Sequence, residues 1–430
     1  MSGPTGSVSR VAPRHVADRA PRSGRANFRL LWAGQTVSLL GTAVTMVALP
    51  AVAVLQLNAS TLEVALITSA EFGAYSVLGL PAGVYVDRWP RRGVLLWADA
   101  LRAVVLGAVP VLWLLDLLRV WHLIAVALLL GVGKLFFDTA HQAYLPALVS
   151  RDELIRSNAS LQTASATTEL AGPGVGGILV QAMGAALALV VDTLTYLLSF
   201  GAVLAIRAPR EERDPAAPPA HGKLRAEIAE GFRYIRDDPI LRSFIGTVAQ
   251  FNFLTTAQQA LLVIFLLRVV DVPPAAVGFL LASTGVGAVL GAMNARRVAE
   301  RLGVGRTMIL AAAFGPAVGV LLPFTDRGPA LAFFVAGSAA LGATAAVLKV
   351  VGVSYRQAIV PPRLLGRVVA TNRVLTWGPL PLGGLLGGVL GEAFGVRAAL
   401  LILALLLLTA PVWLLFTPAW RQRGFGEEEL

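Results

Sequence analysis

TLEVALITSAEFGAYSVLGLPAGVYVDRWPRRGVLLWADALRAVVLGAVPVLWLL, residues 61–115, holds two long apolar runs, 62–86 and 93–115, joined by a short basic hinge. A helix needs about 20 mostly apolar residues to cross the hydrocarbon core of a bilayer. The apolar residues follow one another instead of alternating, so the runs read as helices and not as barrel strands. Arg88, Arg91 and Arg92 crowd the hinge. Arginine beside a span marks the cytoplasmic side. The unit is a helical hairpin that crosses twice and turns inside.

Composition extends this reading to the whole chain. Of 430 residues, 56% are hydrophobic and only 14% charged, and mean hydropathy is +0.72. Soluble domains carry about 25% charged residues, so a chain this apolar cannot cover a water-facing surface. A soluble enzyme, a disordered protein and a secreted disulfide scaffold are excluded. The net charge of +11 sits in short loops between apolar runs, which reads as topology and not as nucleic-acid binding. There is no cysteine, and the four histidines are scattered, so no metal site or other cofactor is expected.

Twelve spans are expected: 28–54, 62–86, 93–115, 120–144, 157–181, 184–206, 242–268, 274–294, 305–324, 328–349, 367–392 and 397–417. With both termini inside, 28 of the 36 Lys and Arg residues fall in cytoplasmic segments and four fall outside, which fixes the sidedness. Residues 1–27 read as a disordered cytoplasmic tail without a cleaved signal peptide, and 418–430 as a second tail. The expected location is the cell membrane.

Residues 207–241 form the one long loop, a cytoplasmic linker between the halves 28–206 and 242–417. Its second part spaces Leu224, Ile228, Phe232 and Ile235 as an amphipathic helix lying on the inner leaflet. The halves also match each other. A shift of 211 residues lays Tyr144 on Tyr355, Arg156 on Arg367, Gly172 on Gly383, Gly176 on Gly387, Gly177 on Gly388 and Gly184 on Gly395, with no gap. Internal repetition of this kind marks a transporter built from two parallel six-helix halves.

The hinge itself, Gly83-Val84-Tyr85-Val86-Asp87-Arg88-Trp89-Pro90-Arg91-Arg92, resembles the cytoplasmic signature of the major facilitator superfamily, with Pro90 where that family usually has Gly. Gly172-Pro173-Gly174-Val175-Gly176-Gly177 resembles the core of the superfamily's antiporter signature, although Ser165 and Thr168 stand where glycines precede it there. Phe136 to Gln162 is similar to the junction of spans four and five in the exporter branch that includes bacterial macrolide efflux proteins and the enterobactin exporter. The resemblance implies twelve helices, a central cavity and alternating access. It also implies a cytoplasmic latch made by Gly83, Asp87, Arg88, Arg91 and Arg92, with Asp138 on span four as partner of Arg91 or Arg92. Asp99 and Arg102, three apart on span three, are expected to pair with each other or with that latch. Pro173 removes a helix hydrogen bond and kinks span five, while Gly172, Gly176 and Gly177 allow close packing.

Ionisable groups inside spans are functional candidates, because a charge in hydrocarbon is costly. Glu71 in span two and Glu169 in span five are the expected proton carriers; Asp192 in span six reads as a structural hydrogen-bonding group. By family geometry the cavity is lined by Gln35, Thr42 and Met46 of span one, Phe72 and Tyr75 of span two, and Lys134 of span four. The second half adds Gln250, Asn252, Phe253 and Gln258 of span seven, Lys349 of span ten, and Arg373 and Trp377 of span eleven. An apolar, aromatic lining suits a bulky amphipathic molecule better than a sugar or a phosphate. The expectation is a secondary active exporter of such a molecule, coupled to protons, working as a monomer among membrane lipids and without nucleic acid. A proton-coupled importer or lipid flippase of the same fold is the alternative. No Walker A pattern, no G-x-S-x-G and no soluble catalytic domain argue for an enzyme.

Overall fold

A computed structural model describes residues 22–207 and 224–417. Most of the expected N-terminal tail, the Pro-rich part of the linker and the C-terminal tail lie outside the described residues. The first half holds α1 (Arg22–Leu55), α2 (Thr61–Arg88), α3 (Arg91–Leu114), α4 (Val120–Leu148), α5 (Arg151–Met183) and α6 (Ala185–Ala205). The helix α1 thus starts within the expected tail, six residues before the expected span. The linker helix is α7 (Leu224–Asp237). The second half holds α8 (Pro239–Ile264), α9 (Pro274–Leu302), α10 (Val304–Gly319) and α11 (Leu331–Ile359). Its last two spans are broken, into α12 (Pro362–Trp377) with α13 (Leu380–Phe394) and α14 (Val396–Leu407) with α15 (Val412–Leu415).

Twelve crossings result. Ten stretches are long and apolar enough to span a membrane on composition alone. The other two are α2 and α5, whose inward parts are more polar; α5 carries SNASLQTASATTE at 157–169. Both have protein on two sides, α2 against α4 and α13, α5 against α1 and α9.

Local chemistry sets the helix ends. The Ser60 side chain accepts from the Glu63 N–H, and the Glu63 carboxylate returns the bond to Ser60, so two free donors at the start of α2 are met. Asp238 caps α8 by accepting from Ile240 and Leu241, both at 2.9 Å, with Pro239 in the first turn. The expected single span 367–392 is interrupted at Gly378 and Pro379, because Pro379 and Pro381 cannot supply the N–H groups a continuous helix needs. The amide of Asn252 donates to the freed carbonyl of Thr376 at 3.2 Å.

The 211-residue repeat is visible in the backbone. Gly184 joins α5 to α6 at φ 85° and ψ 156°, and Gly395 joins α13 to α14 at φ 82° and ψ 152°. A side chain there would be strained, so Gly is required at both matched positions. Tyr144 and Tyr355 are both buried. Gly176 packs against the backbone of α1 at Val44, and its mate Gly387 packs against the backbone of α8 at Ala257.

The linker helix docks on the C-terminal half. Gly231 is pressed against the Arg367 backbone of α12, the Tyr234 hydroxyl donates to the Ile359 carbonyl at 3.1 Å, and Glu230 pairs with Arg367. Burial, helped by the Asp238 carboxylate, raises the pKa of the Tyr234 phenol.

Candidate functional site

The two halves meet at one end. Arg268 donates to the carbonyls of Ala59 and Val54 at 2.7 and 3.0 Å, the Ala275 N–H to Gln181 at 3.2 Å, and the Leu62 N–H to Glu392 at 3.2 Å. The Gly177 backbone of α5 sits on Pro274 and Gly278 of α9, and Gly388 of α13 sits on Leu62 and Ala65 of α2. The deepest cross-half hydrogen bond runs from Ser76 to the Gly378 carbonyl at 2.9 Å. Beyond it, a side chain added at Gly79, Gly83 or Gly366 would meet open space. The halves are thus sealed at the end that holds Arg268 and Gln181 and part below it, leaving a cleft between them.

At the bottom of this cleft two aromatic rings face each other across the halves. Tyr75 of α2 and Trp377 of α12 have ring centroids 5.6 Å apart at 44°. The Arg373 guanidinium lies over the Trp377 ring at 5.7 Å. The Tyr75 hydroxyl donates to Asp138 of α4 at 3.3 Å. Glu71 precedes Tyr75 by one helical turn and acts on it electrostatically, as do Asp138 and Arg373. Phe72 is half-buried beside them. Flat aromatic faces with a few fixed charges are what an aromatic, amphipathic or cationic molecule binds.

The hinge arginines bond within their own half in this state. Arg91 donates to the Ala143 carbonyl at 2.9 Å, and Arg92 to the carbonyls of Val203 and Leu204 at 3.2 and 2.7 Å. Arg92 therefore caps the free carbonyls at the end of α6 instead of meeting Asp138, whose observed partner is Tyr75. Arg88 is exposed; the Asp87 side chain lies outside the described residues. Pro173 sits inside an unbroken α5, with Gly172 against Ala43 of α1.

Two of the expected cavity residues are taken up by packing, and the rest vary in exposure. Gln250 donates to Thr409 and accepts from the Trp413 indole, both at 2.7 Å, so it fastens α8 to the last span on the outer flank. Gln258 is fully buried, with its side-chain nitrogen and oxygen both lacking partners among the described residues. Lys349 is exposed on α11, and Lys134 is half-buried on α4. Phe253 gives its carbonyl to close packing with Gly383. Met46 is exposed, Thr42 and Gln35 are half-buried. Glu169 is exposed on α5 and accepts from Ser165 at 3.1 Å.

Asp99 and Arg102 are not at the gate. They pair with each other in the middle of the first half, both nearly inaccessible. Ser199 of α6 donates to the free oxygen of Asp99 at 2.8 Å. The Arg102 guanidinium lies between Phe137 and Tyr196, 4.5 Å from each ring. Asp192 of α6, also fully buried, accepts from Thr45 of α1 and from Thr195 at 2.8 Å. Sequence reading put Asp99 and Arg102 together on span three but left Asp192 apart on span six. Their coincidence in otherwise apolar spans, VLLWADALRAVVL at 94–106 and ALALVVDTLTYLL at 186–198, was the available signal.

Two pseudo-symmetric six-helix halves, sealed on one side around a central cleft, define a secondary transporter of the major facilitator fold. The chain matches the family model described as "Transmembrane secretion effector" over residues 19–422, and it belongs to that family within the major facilitator superfamily. It is 28% identical over 395 residues to the multidrug efflux pump Tap of Mycolicibacterium fortuitum, covering 89% of this chain and 93% of that protein. It is 22% identical to macrolide efflux protein A of Streptococcus pyogenes, covering 87% and 91%. Among solved structures, a mutant of the nucleoside transporter NupG superposes with a TM-score of 0.75 at 13% identity, covering 91% of this chain and 100% of that one.

Proposed function

We propose that this transporter exports a bulky, amphipathic, aromatic or cationic small molecule from the cytoplasm across the cell membrane, driven by protons, as a monomer with both termini inside. The observation that carries the reading is the Tyr75–Trp377 pair, set between Asp138, Glu71 and Arg373 at the closed end of the cleft. A cargo entering from inside meets aromatic faces contributed by both halves, so its binding is coupled to how the halves rock. Relatives named as multidrug and macrolide efflux proteins support the direction and the cargo class over an importer. The driving force is adequate: a proton crossing about 100 mV releases about 2.3 kcal/mol, which sustains a cargo gradient of roughly fifty-fold.

Purified protein in liposomes with an internal pH dye and an imposed pH gradient tests this. Ethidium and erythromycin serve as cargo probes, with Glu71→Gln and Glu169→Gln beside the parent. Cargo-dependent proton flux supports the reading, and its loss in Glu71→Gln identifies a coupling acid. Cargo movement with no proton flux would make the protein a uniporter and overturn the coupling.

A further inference from the structure

The first half buries two carboxylates and one guanidinium in a single cluster, Asp99, Asp192 and Arg102, away from the central cleft. Arginine does not give up its proton in proteins. If both carboxylates are ionised, the cluster carries a net negative charge within the apolar part of the bundle. Such a charge is strongly disfavoured unless a proton neutralises it.

The geometry decides which carboxyl takes the proton. Asp99 is joined directly to Arg102 and also accepts from Ser199. Asp192 is hydrogen-bonded by hydroxyls, Thr45 and Thr195, with the Tyr196 hydroxyl beside them, and feels the charge of Arg102 without an ion pair to it. A hydroxyl donates to a carboxylate and accepts from a carboxylic acid with equal ease, by rotating. The surroundings of Asp192 therefore fit both protonation states, whereas those of Asp99 fit the ionised one.

Hydroxyl groups lead away from Asp192. It is fully buried, with the Tyr196 hydroxyl beside it; that hydroxyl bonds Thr42 at 3.2 Å, and Thr42, half-buried on α1, donates to the Ser38 carbonyl at 3.0 Å. From Asp192 the line runs through Tyr196 to Thr42. It ends on the helix that also carries Thr45 and Met46. The helices α1 and α6 are in tight contact here, since a side chain on Gly41 would overlap Asp192 and Thr195. Reversing the Thr45 bond on protonation thus acts directly on α1.

We propose that Asp192 is a proton-carrying residue of this transporter, with Arg102 held by Asp99 as its fixed counter-charge and Tyr196–Thr42 as the hydroxyl line leading from it. This deepens the proton-coupled reading and rests on it. The other charged or titratable groups around the cluster are Glu71 on α2, Lys134, Asp138 and His141 on α4, and Glu169 on α5, which bonds Ser165 of its own helix. His141 stacks on Phe137, the ring that covers Arg102.

Infrared spectroscopy of the full chain in lipid tests this without knowing the cargo. The parent should show the carbonyl stretch of a protonated carboxylic acid that titrates with pH. The band should be absent from Asp192→Asn and kept in Glu71→Gln and Glu169→Gln, and it should weaken in Asp99→Asn, where Arg102 is left to balance an ionised Asp192. Isotope-labelled aspartate should shift the band in the parent, which separates an aspartate from Glu71 and Glu169, and if Asp192→Asn does not fold, Asp192→Glu should give a band that no longer responds to the aspartate label. In liposomes Asp192→Asn should lose ethidium-driven proton flux to the level of empty vesicles, yet still exchange ethidium at equal pH. A band that persists in Asp192→Asn, or that ignores the aspartate label in the parent, overturns the assignment. If the parent moves neither ethidium nor erythromycin, the transport reading fails while the infrared result still judges Asp192.

Discussion

The guanidinium of Arg268, at the sealed end of the second half, donates to the Ala59 carbonyl in the first half at 2.7 Å, and to Val54 at 3.0 Å. Hydrogen bonds from a charged donor contribute about 1.5–3 kcal/mol each when sheltered. Arg268 is exposed, so about 1.5 kcal/mol for the two together is a fair figure. These bonds exist only while that end is closed. Arg268→Ala should therefore move the inward-to-outward equilibrium about tenfold toward outward-open. The chain has no cysteine, so a Leu62→Cys, Glu392→Cys pair with a bismaleimide reports closure cleanly. Cross-linking should fall in the Arg268→Ala background; unchanged cross-linking would show that Arg268 does not hold the gate.

Tyr75 and Trp377 separate ring contact from hydrogen bonding. An aromatic pair contributes about 0.5–1.5 kcal/mol beyond its burial. Trp377→Ala removes a ring face and the seat of Arg373. Ethidium binding, read by fluorescence, should weaken about three- to tenfold. Tyr75→Phe keeps the ring and loses only the 3.3 Å bond to Asp138, so its effect should be about twofold. The reverse order would place the cargo against the Tyr75–Asp138 pair instead.

The fold was legible because a bilayer leaves a chain few options. The spans follow from length and the 211-residue repeat from matched glycines, and Gly184 and Gly395 adopt the same conformation. The site was less legible. Hydropathy says that Gln250, Gln258 and Glu169 lie in spans, but not which way they face. Gln250 turned to the flank and Gln258 into packing, while Glu169 stayed exposed. Asp192 is far in sequence from the Asp99–Arg102 pair, and only the packing of α3 on α6 brings it to them. The break at Gly378 was hidden because Pro379 and Pro381 sit in a run as apolar as an intact helix.

The linker helix offers a contrast between charge and backbone contact. The Glu230–Arg367 pair is partly exposed, with side chains 44% and 36% accessible. Such pairs contribute about 0–1 kcal/mol. Gly231 meets the Arg367 carbonyl, 2.6 Å from where a Cβ would stand, and a backbone oxygen has no rotamer by which to move away. Glu230→Gln should leave α7 docked, whereas Gly231→Val should release it. Tryptic cleavage at Arg233 and Arg236 reads the difference, since a docked helix must open locally before it is cut. Equal cleavage in both variants would show that α7 is held by its charges.

Gly177 and Gly388 occupy matched positions, yet their surroundings differ. A Cβ on Gly177 would lie 2.5 Å from the Pro274 carbonyl oxygen and 2.9 Å from the Gly278 nitrogen, both backbone atoms. A Cβ on Gly388 would meet the Ala65 methyl at 2.6 Å and the tip of Leu62 at 3.1 Å. Backbone can yield only by moving α9 away from α5, which opens the outer seal; the Leu62 side chain can change rotamer. Overpacking that forces backbone shifts costs about 1–3 kcal/mol. Gly177→Ala should thus favour the outward-open state about five- to one-hundred-fold, lower the Leu62→Cys, Glu392→Cys cross-link and slow export. Gly388→Ala should do the same more weakly, although it stands nearer to that cross-link. If Gly388→Ala is the more damaging of the two, the seal is made by α2 and α13, and the contact of α5 with α9 is only packing.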